Sequence, residues 1–134
     1  MPRLASQALT TALLRPDEWL SPQKLKALCR VVQSLLAAMA QHEPLEVYAQ
    51  TRGGDFWYKV YIMAPRGALR MDTGGESVRT KQRARATIRH EQLQSVTLDA
   101  LMTNWQQYGI RPRRAIGLML YEAWRTSNPH RGGT

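Results

Sequence analysis

Five cations stand at Arg79, Lys81, Arg83, Arg85 and Arg89, with no acidic side chain among them. Such a run suits neutralisation of a polyanion, because a guanidinium forks onto two phosphate oxygens where an ammonium acts as a point charge. Upstream, Trp57, Lys59 and Tyr61 alternate along one face of an expected strand, with Arg66 and Arg70 close behind them. Cations can follow a phosphate backbone while aromatic rings stack on unpaired bases, each stack contributing roughly 1 to 3 kcal/mol. A sheet that exposes both is therefore a candidate single-strand platform. The competing reading buries Trp57 and Tyr61 under a helix and leaves the arginines as a solvated face. Arg111, Arg113 and Arg114 form a second candidate phosphate-contacting corner at the start of the last expected helix, where backbone N–H groups also favour anions. With Gly109 in the turn, residues 98–126 could form a helix-turn-helix. Bulky Trp105 before that glycine and the apolar run Ala115 to Leu120 argue instead for a core helical hairpin with a basic corner.

Catalytic signals are weaker. His90, beside Glu91 and downstream of the basic run, could act as an acid or base in a metal-independent ribonuclease that uses arginine to stabilise the phosphorane. His42, His90 and His130 are far apart and have no second histidine or cysteine at metal-ligand spacing, so no metal is expected. Cys29 sits among Leu25, Leu28 and Val32 at helical spacing and reads as a reduced core residue, with no His-Asn or His-Asp pairing to make it a nucleophile. Gly53-Gly54 and Gly74-Gly75 lack the lysine and the following helix of a phosphate loop. No catalytic residue and no cofactor is assigned. The triplet Asp72-Thr73-Gly74, after Ala68-Leu69, resembles over a short stretch the active-site triplet of retroviral-type aspartic proteases. The resemblance implies two aspartates sharing one proton across a dimer among apolar strands. An arginine-rich segment follows here in place of such a strand, so the triplet is read as a glycine turn.

The charge balance supports the basic candidates. The 134-residue chain carries a formal +9 with pI near 10.4. Residues 1–64 hold seven basic and five acidic side chains, whereas residues 65–134 hold twelve and five. The excess favours DNA, RNA or an acidic protein surface as partner. No apolar stretch approaches the roughly 18 residues of a membrane span, since Val31 to Ala40 is interrupted by Gln33 and Ser34. The cytoplasm is the expected location.

The expected fold class is α+β: two N-terminal helices, a small antiparallel β-meander of 3–4 strands, and a C-terminal helical hairpin. Residues 1–127 are read as one domain and 128–134 as a flexible tail. Ala5, Ala8, Leu9, Ala12 and Leu13 predict a short helix over 4–14. Ser21 as N-cap, Pro22 at the first position and the repeat Leu25, Leu28, Cys29, Val32, Leu35, Leu36, Met39 predict a longer one ending near His42. From Leu45 the period changes to two. Strands are predicted at Leu45 to Gln50, Phe56 to Met63 and Ala68 to Met71, divided by glycine-bearing turns.

Residues 76–92 fit a strand with one cationic face, a helix, or a mobile arm, in that order of preference. Thr97 as N-cap with Leu98, Leu101, Met102, Trp105 and Tyr108 predicts a helix, and Ile116, Met119, Leu120, Ala123 and Trp124 predict the last. Trp105, Tyr108, Met119 and Trp124 offer apolar surface on which a homodimer could form. The leading functional expectation is a non-enzymatic nucleic-acid-binding accessory or regulatory protein. A ribonuclease using His90 is the runner-up, and a protein that binds an acidic protein partner or nucleoprotein complex is third.

Overall fold

A computed structural model describes residues 21–52, 56–72, 75–103 and 116–127. Helix α1 (Pro22–Ala40) begins as its sequence dictates, with Ser21 Oγ accepting from the Lys24 N–H at 3.2 Å and Pro22 in the first turn. Its end is closed by two reversed hydrogen bonds, Glu43 N to Ala38 O at 2.9 Å and His42 N to Met39 O at 3.1 Å. They turn the chain through His42, which has φ +55° where glycine is the usual residue.

Strands β1 (Glu46–Arg52), β2 (Phe56–Ala64), β3 (Gly67–Asp72) and β4 (Gly75–Arg79) follow as an antiparallel meander. The short β5 (Gln94–Val96) then pairs antiparallel with β1, so the sheet order is β4-β3-β2-β1-β5. The register aligns Val47, Ile62, Leu69 and Val78 in one row, and Ala49, Val60 and Met71 in the next. These rows form the main core with Val31, Val32, Leu35 and Leu36 of α1, Leu101 and Met102 of α3 (Leu98–Thr103), and Ile116, Leu120 and Trp124 of α4 (Ile116–Ser127). The buried Trp124 indole N–H donates to Asp99 Oδ1 at 2.8 Å and so ties α4 to α3. Trp124 therefore belongs to the chain's own core and does not add to surplus apolar surface.

The α+β class stands, with one correction to the basic segment. Residues 76–92 are neither one strand nor one arm. β4 ends at Arg79, Thr80 caps helix α2 (Lys81–His90) by accepting from the Arg83 N–H at 3.2 Å, and α2 crosses the second sheet face toward β5. Two apolar residues one turn apart, Ala84 and Ile88, are enough to dock it. They bury against Tyr61, Met63 and Ala68 with Leu93, and Tyr48 packs at the margin. α2 ends by the same device as α1: Gln92 at φ +55°, Gln92 N to Arg89 O at 3.2 Å, and Leu93 N to Ile88 O at 3.0 Å.

The expected helix over 4–14, the turn around Gly109 with Arg111, Arg113 and Arg114, and the tail lie outside the described residues. No helix among the described residues is long and apolar enough to cross a membrane.

Candidate nucleic-acid interface

Helix α2 sorts its residues by turn. Ala84 and Ile88 point into the sheet, Arg85 and Thr87 lie at the flanks, and Lys81, Gln82, Arg83, Ala86, Arg89 and His90 are exposed. At about 1.5 Å per residue, the ten residues present cations over roughly 15 Å. Arg89 in the last turn also meets the partial negative end of the helix dipole favourably, whereas Lys81 and Arg83 stand in the first turn, where a positive charge gains nothing from it.

The candidate cations fall into two groups by partner. Arg85 reaches Glu46 of β1 through both terminal nitrogens, at 3.0 and 3.2 Å, and Tyr48 donates its hydroxyl to the same carboxylate at 2.8 Å. The Arg85 hydrogen bonds, then that of Tyr48, hold the Glu46 carboxyl below the ordinary carboxylate range. Bonding to that carboxylate raises the Tyr48 phenol and the Arg85 guanidinium in turn. Lys59 is engaged by Glu91 just beyond α2, and Arg70 by Asp72 on its own strand. Lys59 and Arg85 thus tie α2 to the sheet, whereas Arg70 is held locally on its own strand.

Lys81, Arg83, Arg89 and Arg66 are exposed and have no carboxylate within salt-bridge distance among the described residues. Arg79 is half-buried and donates to Val78 O at 3.1 Å. Lys81 lies near enough to Glu46 to help depress its pKa without joining the Arg85 pair.

The aromatic half of the expected platform does not assemble as drawn. Tyr61 is 2 % exposed beneath α2, so its ring cannot stack on a base. With helices on both faces, the sheet centre is closed, and the exposed cations of the basic segment lie on a helix. Trp57 lies beside a β-bulge, where the pairing passes from Gln50 opposite Lys59 to Thr51 opposite Trp57, and its side chain lies outside the described residues.

His90 sits exposed at the end of α2, and recesses near α1 and near β4 are lined by other residues. Among the described residues no group of three or more histidine, cysteine or acidic side chains is placed to hold a metal ion. Arg30 and Lys26, on the exposed side of α1, were not singled out by sequence reasoning. Their signal is that α1 contains no acidic residue along its 19 positions.

No protein-family model, curated protein or solved structure matches this chain.

Proposed function

We propose that this chain is a non-enzymatic nucleic-acid-binding protein, accessory or regulatory in role, that contacts phosphates through the exposed face of α2. Lys81, Arg83 and Arg89 are the contacting cations, with Arg79 at the same end of the sheet as Lys81. Arg111, Arg113 and Arg114 are carried as a second corner from the sequence alone. Support comes chiefly from the division of cations around α2: those that hold it in place are matched to carboxylates, and Lys81, Arg83 and Arg89 on its exposed face meet none among the described residues. Unmatched cations on one rigid helix raise the local positive potential, which steers and holds a polyanion. A helix also fits the roughly 12 Å major groove of a duplex, and Gln82 and His90 stand among the cations as side chains able to bond base edges. Duplex is therefore preferred here over the single-strand platform. Cytoplasmic residence goes with this reading.

A ribonuclease has less behind it, because His90 stands on an open helix end with no second acid or base bonded to it among the described residues. Incubation with labelled duplex DNA, single-stranded DNA and RNA in excess EDTA separates the readings. The expected result is a retarded, uncut complex. RNA cleavage that His90→Ala abolishes would establish the enzyme instead, and absence of any complex alongside capture of an acidic protein would establish the third reading.

A further inference from the structure

A cleft on the other side of the sheet bears on how much nucleic acid the chain can hold. Arg30 of α1 and Arg66 in the β2–β3 turn line a broad recess of about 530 Å3 with Gln33 and Ser34. Both arginines are exposed, and neither meets a carboxylate among the described residues. Two guanidiniums facing one recess with no carboxylate paired to them among the described residues repel each other, and Lys26 continues the same side of α1 one turn earlier, where a like charge at four-residue spacing weakens a helix. Nothing among the described residues offsets this repulsion, and a bound anion would relieve it.

The donors are also in surplus. Each guanidinium offers five N–H groups and Gln33 offers an amide, while the Ser34 hydroxyl proton is committed to Val31 O at 2.8 Å. The recess is an open depression whose donors suit an acceptor-rich, negatively charged group. Its place in the fold is fixed by a close contact: Gly67 lies so near α1 that an added Cβ would sit 3.1 Å from Val31 Cγ2 and 3.3 Å from Arg79 O. This brings the Arg66 turn, the middle of α1 and the strand leading into α2 to one end of the molecule. The register agrees, since Arg79 lies opposite Ala68, two residues from Arg66.

We propose that the Arg30–Arg66 recess is a second phosphate-binding site for the same nucleic acid, so that the polymer passes from α2 around the sheet end onto α1. This rests on the nucleic-acid reading and extends its footprint to the opposite layer. Each phosphate contact on a duplex contributes about 0.9 to the log–log salt slope. Fluorescence anisotropy with a short labelled duplex over a salt series is expected to show the slope of an Arg30→Ala/Arg66→Ala variant reduced by about 1.8, with binding near 0.1 M salt weakened more than about tenfold. The Arg30→Lys/Arg66→Lys variant is expected to keep most of the slope, and neither variant to melt below the parent, because both side chains are exposed and the alanine variant only relieves like-charge repulsion. A parent that binds while the alanine variant keeps the parent slope would overturn this site and leave the α2 reading standing. A parent that binds no duplex would remove both.

Discussion

Arg85 of α2 and Glu46 of β1 lie 39 residues apart in sequence and meet through two side-by-side hydrogen bonds of 3.0 and 3.2 Å. This fork and the Lys59–Glu91 pair hold the basic helix at two points on the sheet, while Ala84 and Ile88 fill the space between. A ten-residue helix is marginal alone in water. Its orientation, and so the direction in which Lys81, Arg83 and Arg89 point, depends on these anchors.

Glu46→Gln removes the charge that occupies Arg85. The released guanidinium is expected to join the cationic face and steepen the salt slope for duplex binding by about 0.9. Acid stability tests the same pair. The folded carboxyl has a lowered pKa, so its contribution is present above the ordinary value of 4.5 and is lost as pH falls through the folded value below it. Melting temperatures of the parent should decline in that acid window by slightly more than those of Glu46→Gln, the difference being small because the pair is about half exposed.

Gly67 has φ +151°, and a methyl group there would press on Val31 and on the Arg79 carbonyl. Gly67→Ala is expected to destabilise the protein by about 1 to 3 kcal/mol through backbone strain and overpacking. Urea unfolding would show a lower midpoint with little change in slope.

His42 and Gln92 each occupy a left-handed position that glycine adopts without steric cost. His42→Gly and Gln92→Gly are each expected to stabilise by roughly 0.5 to 1 kcal/mol, since relief of the left-handed strain exceeds the extra freedom glycine gains in the unfolded chain. Differential scanning calorimetry would register this as a rise in melting temperature.

The extent to which these features could be read in advance depends on whether their causes are local. α1 was legible because its cap, first-turn proline and apolar repeat are all encoded within twenty residues. β1 to β3 were legible because alternation is a local signal, and the later rows Val47–Ile62–Leu69 follow from it. The stretch 76–92 was ambiguous because Arg79, Lys81, Arg83 and Arg85 recur every second residue, which mimics a strand, while Thr80, Ala84 and Ile88 encode a capped helix. β5 has three residues, two of them exposed and polar, and so carries almost no pattern.

The site was less legible than the fold. Candidate cations could be named from charge alone, but Lys59 and Arg85 are set apart from Arg83 and Arg89 by carboxylates 32 and 39 residues away that only the fold brings near. Tyr61 became a core residue because α2 crosses over it, which strand alternation could not anticipate. Arg30 looked like any solvated helix residue until the turn bearing Arg66 was placed beside it.

The central claim is that exposed, unmatched cations of α2 bind phosphate, and the most direct test is the salt dependence of duplex affinity for the parent and for Lys81→Ala/Arg83→Ala/Arg89→Ala. Removal of three phosphate contacts should flatten the log–log slope by about 2.7 while the melting temperature holds. A variant that binds the duplex with the parent's slope and affinity would contradict the account.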